Sequence, residues 1–438
     1  MLKAGTGRRD VSPQQSVFLW GYPHVDRMST GIYDPLYATA VCLDDGNQRT
    51  IAVSVDVLYV TAAMVAACRQ RIAARVGVPP SHVLISATHT HSGPVTAKVL
   101  AMSGDPVVPD PDPDYTEWLI EEMAAAAGDA AQRVEEAEVA VTAVQIEGVG
   151  GNRLDPGGPH DAEAGLVVVR RPHDRTLIAV QLVYAMHPTI LHEDSTLISA
   201  DFPGYTRRHI ETMHPGCRVV YHNGLCGNLS PRYHVEAQTF AEAERLGVRL
   251  GTFVTDAIGK LDNAAYRVDA AVGGRQARVA LVPRTFPSVA EAEQALHEAR
   301  AVYERLRREG AAHGPLRTAE CVTFGAEEVV TMARAQQSGE LGRFQTAYGE
   351  AEIQILQVGE AFVAGLPGEW FVEYSLEIKQ RSTRPVFPAS MANGELQGYI
   401  TTPGATGYEA GLSMFTPESG ERMVEALLAL MADAAGEA

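Results

Sequence analysis

Hydrophobic and polar positions along this chain fall into short blocks that predict alternating strands and helices. Residues 36–43 and 50–55 are β-rich runs separated by the turn Asp44-Asp45-Gly46-Asn47, which predicts a hairpin. Residues 61–76 have helical periodicity and stop before Gly77 and the Pro79-Pro80 pair, after which Val83-Leu84-Ile85 predicts another strand. A helix over 115–133 and strands over 139–146, 165–170 and 176–184 follow, then a strand ahead of Gly224 and an amphipathic helix over 237–260. A helix over 288–308 opens with a Ser288-x-x-Glu291 capping box, the mark of a surface helix. The last third predicts strands over 351–358 and 361–366, a helix over 370–380 with Glu369 in its first turn, and a closing helix over 418–435. The opening stretch from Gly5 to Pro13 is rich in turn formers and reads as loop. The pattern gives an α/β fold, mixed β-sheets layered between helices, in one large domain over 1–438 with a helical excursion near the surface at 283–345. No internal repeat and no clean linker interrupt it.

The chemistry-bearing residues cluster where predicted strands end. Thr88-His89-Thr90-His91-Ser92-Gly93-Pro94 follows the strand at 83–85, and in an extended chain residues two apart share a face, so His89 and His91 would present two imidazoles together. That pair alone serves metal binding or acid-base work and does not decide between them. Met186-His187-Pro188 delivers another histidine at a strand end, because the proline holds His187 extended. Gly227-Asn228-Leu229-Ser230 closes a third such unit, and lacks the Gly-x-Ser-x-Gly elbow of a serine hydrolase. Arg153 in a glycine-rich loop could clamp a carboxylate or an oxyanion, and Tyr399 and Tyr408 sit in glycine-rich turns. His24 reads as a loop histidine, and Asp56 as either a cleft residue or a cap.

Charge and composition narrow the class. With Lys+Arg 36 against Asp+Glu 54 the chain carries a formal charge of -18, which repels phosphate backbones and anionic headgroups, and no basic cluster offsets it. Nucleic acid is therefore excluded as a partner. Five scattered cysteines without paired spacing argue against a disulfide framework or a cysteine zinc site. There is no apolar signal core at the start and no long apolar span, so the sequence predicts a cytoplasmic protein with no integral membrane segment.

Taken in order, Thr88-His89-Thr90-His91-Ser92-Gly93-Pro94, Asn152-Arg153, Met186-His187-Pro188, Gly227-Asn228-Leu229-Ser230-Pro231, Gly368-Glu369, Tyr399-Ile400-Thr401-Thr402 and Tyr408-Glu409 resemble the catalytic domain of the neutral/alkaline ceramidase family over nearly the whole chain. The resemblance implies one zinc ion per chain held by His89, His187, Glu369 and Tyr399, with His91 as the proton-transfer group and Arg153 and Tyr408 facing the substrate carbonyl. Imidazole and carboxylate donors suit zinc, which activates water and polarises a carbonyl. Ser230 matches a serine that could act as a nucleophile; attack by zinc-activated water is preferred because the sequence offers Ser230 no base.

The expected activity is zinc-dependent hydrolysis of an N-acyl amide bond. The sequence departs from secreted members of the family, which carry a leader and a C-terminal β-sandwich, and it reads Val95-Thr96-Ala97-Lys98-Val99 where lipid-processing members are glycine-rich. A remodelled site mouth favours a smaller, more soluble N-acyl compound over ceramide itself. A zinc esterase or lactonase on the same site and a non-catalytic zinc-binding protein are the alternatives, and a homo-oligomer is compatible with the sequence.

Overall fold

The computed structural model describes residues 1–22 and 24–436. In its first sheet β1 (Lys3–Asp10), β2 (Tyr37–Asp44) and β3 (Arg49–Val55) run antiparallel; α1 (Ala62–Val76) then returns the chain to β4 (Val83–Ala87), which pairs with β3 in parallel. Thr61 caps α1 by accepting from the Met64 amide, and Gly77 ends it in the left-handed conformation, as the sequence pattern predicts. α2 (Pro113–Gln132) covers the outer face. The second sheet repeats the plan: β5 (Glu138–Gln145), β6 (Glu163–Arg170) and β7 (Leu177–Tyr184) are antiparallel, and α3 (Asp201–Met213) leads to β8 (Arg218–Asn223), parallel to β7. α4 (Phe240–Gly259) packs outside it.

The third sheet starts with β9 (Val272–Ala280), after which α5 (Val289–Arg308), α6 (His313–Ser338) and α7 (Glu340–Tyr348) intervene before its antiparallel partner β10 (Glu350–Val358). β11 (Ala361–Gly365), α8 (Val372–Arg381) and β12 (Val386–Ala389) close the same unit, with β12 parallel to β11, and α9 (Pro417–Ala435) packs on the sheet. Thus each sheet holds three antiparallel strands extended on one edge by a strand–helix–strand crossover, and the first sheet gains on its other edge the two-residue strand Glu135–Glu136, antiparallel to β1. The sequence carries no trace of this repetition, because only topology repeats. The three sheets meet at a buried apolar layer, with Val41 and Leu84 from the first, Val167 and Val220 from the second, and Leu356 and Phe387 from the third. Helices cover the outward faces, which makes the molecule a mixed α/β fold of one domain.

Two expectations need correction. The stretch read as an opening loop is β1, in continuous register with β2 from Lys3↔Asp44 to Asp10↔Tyr37. Gly5 and Gly7 look like turn residues but serve packing: a methyl group there would press into the backbone carbonyls of Ala130 and Ala126 on α2. Glu369 does not open a helix. It lies in a two-residue strand, Glu369–Trp370, paired in parallel with Tyr399–Ile400, and α8 begins later, at Val372. The Asn228 side chain caps that helix by accepting from the Val372 amide at 2.9 Å. Among the described residues all five cysteines are free, and no helix is long and apolar enough to cross a membrane.

Candidate metal centre and active-site cavity

The C-terminal ends of the parallel strands of all three sheets converge on one place. β4 ends at Ala87, and the chain turns through His89 in the left-handed conformation, φ 68°. His89 and His91 are therefore brought together by a turn and not by strand alternation, with rings 4.9 Å apart and perpendicular. β7 ends before His187, whose ring lies 4.8 Å from that of His89.

Each of the three imidazoles uses Nδ1 on a backbone carbonyl. His89 donates to Leu58 O at 2.9 Å, His187 to Cys226 O at 2.7 Å, and His91 to Gly21 O at 3.0 Å. A carbonyl only accepts, so Nδ1 carries the hydrogen and Nε2 presents a lone pair. One ring nitrogen of each histidine lies within 4.8 Å of the others. His89 Nε2 and His187 Nε2 are 3.2 Å apart, and Glu369 Oε2 sits 3.2 Å from the latter and 3.5 Å from the former. Two facing lone pairs beside a carboxylate oxygen repel each other unless they share a cation, and this buried donor set suits a metal ion. His91 Nε2 is buried and has no hydrogen-bond partner among the described residues. Gly21 permits that arrangement: at φ 122°, a side chain there would collide with the His91 ring.

Burial raises the Glu369 carboxyl, and positive charge at the His89 and His187 positions overcomes it and holds the carboxyl well below its usual range; with those rings neutral, a cation shared between them would supply that charge. Burial and the Arg153 charge push His187 down to about 4. Burial, reinforced by the two neighbouring imidazoles, drives His91 well below its usual value, so its ring is neutral at pH 7. The second carboxylate oxygen of Glu369 accepts from the Tyr59 hydroxyl. Tyr399 stands next to Glu369 by strand pairing, and its hydroxyl accepts from the Arg153 guanidinium at 3.0 Å. Arg153, itself buried, is fixed by a 2.8 Å ion pair with the fully buried Glu409, and its guanidinium faces the Tyr408 ring at 5.4 Å.

Every residue picked out by sequence for the metal or for catalysis lines one cavity: His89, His91, Arg153, His187, Ser230, Glu369, Tyr399 and Tyr408. Ser230 Oγ accepts from the Arg232 amide at 3.2 Å, and among the described residues no imidazole or carboxylate bonds it. His24 lies elsewhere, paired with Glu327 at 2.7 Å, and Asp56, just past β3, is locked in a buried fork with Arg207 of α3 at 2.6 and 2.8 Å. Tyr59 and Glu409 are site residues the sequence reading missed. Tyr59 follows β3 at the end of the same parallel pair that delivers His89, which was the available signal. The excursion was also misjudged in part: α5 is a surface helix with its capping box formed, but α6 supplies Arg317, Cys321, Phe324, Gly325 and Glu328 to the cavity wall. Leu58, Val99, Ala101, Met102 and Leu412 make the lining largely apolar around about 160 Å³ of free space.

A sequence model described as neutral/alkaline non-lysosomal ceramidase, N-terminal, matches residues 2–230, a span that holds His89, His91, Arg153, His187 and Ser230. The fold is similar to the crystal structure of neutral ceramidase from Pseudomonas aeruginosa, with TM-score 0.77 and 18% identity over 99% of this chain and 75% of that one. It is equally similar to the structure of a ceramidase complexed with C2, with TM-score 0.78 and 18% identity over the same shares. The structural likeness establishes a common fold that extends past the matched segment through Glu369, Tyr399 and Tyr408. With more than half of its residues matched, the chain belongs to the neutral/alkaline non-lysosomal ceramidase family.

Proposed function

We propose that this protein is a zinc-dependent amidohydrolase that cleaves an N-acyl bond, with His89, His187, Glu369 and Tyr399 as the residues that hold the metal. The observation that carries the reading is the set of imidazoles whose Nδ1 hydrogens are committed to carbonyls while their Nε2 lone pairs converge beside Glu369. Zinc in that position supplies Lewis acidity toward the scissile carbonyl and a reactive water at neutral pH. His91 is the proton carrier: its neutral, unpartnered Nε2 takes up the proton the attacking water gives up and returns it to the departing amine nitrogen. Arg153 and Tyr408 face the carbonyl region, where the guanidinium stabilises the developing oxyanion and Glu409 keeps it aimed. The apolar wall receives the acyl chain. A free space of about 160 Å³ lies below the range typical of drug-sized ligands and supports a substrate smaller than a two-chain lipid.

Metal content and amine release from a panel of N-acyl compounds, from short acylamino compounds to ceramide, test this before and after chelation. Wild type is expected to hold one zinc and lose amine release on chelation. His91→Ala is expected to keep the zinc and lose amide cleavage by roughly 10²- to 10⁴-fold. If His91→Ala loses zinc, His91 is a ligand and not the proton carrier; if only esters or lactones turn over, the enzyme is an esterase.

A further inference from the structure

Beside the metal centre the cavity wall holds a cation that the proposed mechanism leaves unused. Arg232 lines the cavity next to Ser230, and its guanidinium contacts the Arg153 carbonyl oxygen and Thr318 Oγ1, each at 3.4 Å, and Cys321 Sγ at 3.8 Å. These contacts are long, and none is to a carboxylate. The setting makes that unusual. Acidic side chains outnumber basic ones 54 to 36, and the arginines around the site take carboxylate partners, Arg153 with Glu409 at 2.8 Å and Arg317 with Glu193 at 2.6 Å. The buried Arg27 has no carboxylate either, but it is satisfied by main-chain carbonyls of Ser195 and His91 at 2.9 to 3.1 Å. Arg232 retains a planar fork of donors that a carboxylate could take in a bidentate manner.

The cavity wall holds two carboxyls, and among the described residues neither bonds Arg232: Glu369 is taken by His89, His187 and Tyr59. Glu328 is the cavity carboxyl on the same face of α6 as Cys321, seven residues and about 10 Å further along the helix. Burial and the nearby Asp105, Glu369 and Glu327 push Glu328 up to about 8, so it is mostly protonated at neutral pH. Arg232 also lies near enough to Tyr408 to act on its phenol electrostatically, which sets the guanidinium beside the side chain assigned to the substrate carbonyl.

We propose that the substrate is an N-acyl compound bearing a carboxylate, and that Arg232 docks this carboxylate inside the metal-centre cavity. The identity of the scissile bond rests on the amidohydrolase reading; the carboxylate site rests on Arg232 alone. The group could belong to the amine part, as in an N-acyl amino acid, or to the acyl part, as in a monoamide of a dicarboxylic acid.

Calorimetric binding and initial rates on two pairs of twins test it: N-octanoylglycine against N-octanoylglycinamide, and N-octylsuccinamic acid against N-octylsuccinamide. In wild type one acid is expected to bind roughly ten- to a hundredfold more tightly than its uncharged twin, and which pair discriminates tells where the carboxylate sits. Arg232→Gln is expected to bring that ratio close to one, through KM and not kcat, and Arg232→Lys to restore part of it. Equal binding of both twins in wild type overturns the proposal, as does an Arg232→Gln variant that weakens both twins alike, which is the mark of a structural role. Discrimination in binding without amine release leaves this inference standing and removes the hydrolase reading; equal amine release from twins does the reverse.

Discussion

Glu369 is oriented from two sides, with one oxygen turned toward His89 and His187 and the other taken by the Tyr59 hydroxyl. A ligand whose second oxygen is fixed pays less ordering entropy on binding metal, and partners of this kind typically matter 10- to 100-fold in metal affinity. Tyr59→Phe is thus expected to weaken zinc retention by that factor in competition with a chelating dye, while the circular dichroism spectrum stays that of wild type. Undiminished affinity would show that the hydroxyl is only packing. The residue scale also shows why some of the site was legible and some not. Thr88-His89-Thr90-His91-Ser92 could be read because its chemistry is local in sequence. Tyr59 and Glu409 could not: each gains its role by touching a side chain more than 250 positions away, Glu369 and Arg153 respectively.

At the scale of elements, helices and the central strands follow from periodicity and caps, and the failures have steric causes. β1 was hidden by Gly5 and Gly7, whose lack of a side chain reads as a turn but lets α2 lie against the strand. Gly7→Ala is expected to destabilise the protein by about 1–3 kcal/mol in urea denaturation, because the methyl group meets backbone that cannot yield; a neutral effect would mean that α2 shifts freely. Glu369 was misplaced because two-residue strands leave no periodic signal. β4, β7 and β8 are joined by one buried histidine: His222 Nδ1 meets Ser86 Oγ at 2.7 Å, and Gln181 donates to its Nε2 at 3.0 Å. Burial pushes His222 down to about 3. The unfolded chain takes up this proton below about pH 6.5 while the folded protein resists it until near pH 3, so stability is full above 6.5 and falls with acid by up to about 1.4 kcal/mol per pH unit. His222→Gln is expected to lower stability at pH 7 yet flatten the loss between pH 7 and pH 5. Parallel curves for variant and wild type would show that another group carries the acid sensitivity.

For the whole molecule, the proposed ligands come from separate sheets: His89 follows β4 of the first, His187 follows β7 of the second, and Glu369 and Tyr399 belong to the segments around the third. A metal bound there ties the three together across the apolar layer they share, and it stabilises only the folded arrangement. Chelation is therefore expected to lower the urea midpoint of wild type, by about 4 kcal/mol in stability if free zinc had stood a thousandfold above its dissociation constant. Glu369→Gln should show little further response to the chelator. An identical midpoint with and without chelator would mean that the sheets hold the site rigid without help. This long-range assembly is what a linear reading captures least, since the three crossover units share a plan and no sequence.

The excursion of α5 to α7 leaves the third sheet at Ala280 and returns at Glu350, and those two residues are direct partners across the β9–β10 pair. The chain departs and re-enters through a doorway one strand spacing wide, as a hairpin loop does, although what hangs from it is three helices long. Such an appendage can be exchanged without altering the register of the strands that carry it. The residues proposed as metal ligands lie outside it, while its middle helix adds Arg317, Cys321, Phe324, Gly325 and Glu328 to the cavity wall. Variation or grafting within the appendage would reshape one side of the cavity and leave the residues proposed for the metal as they were.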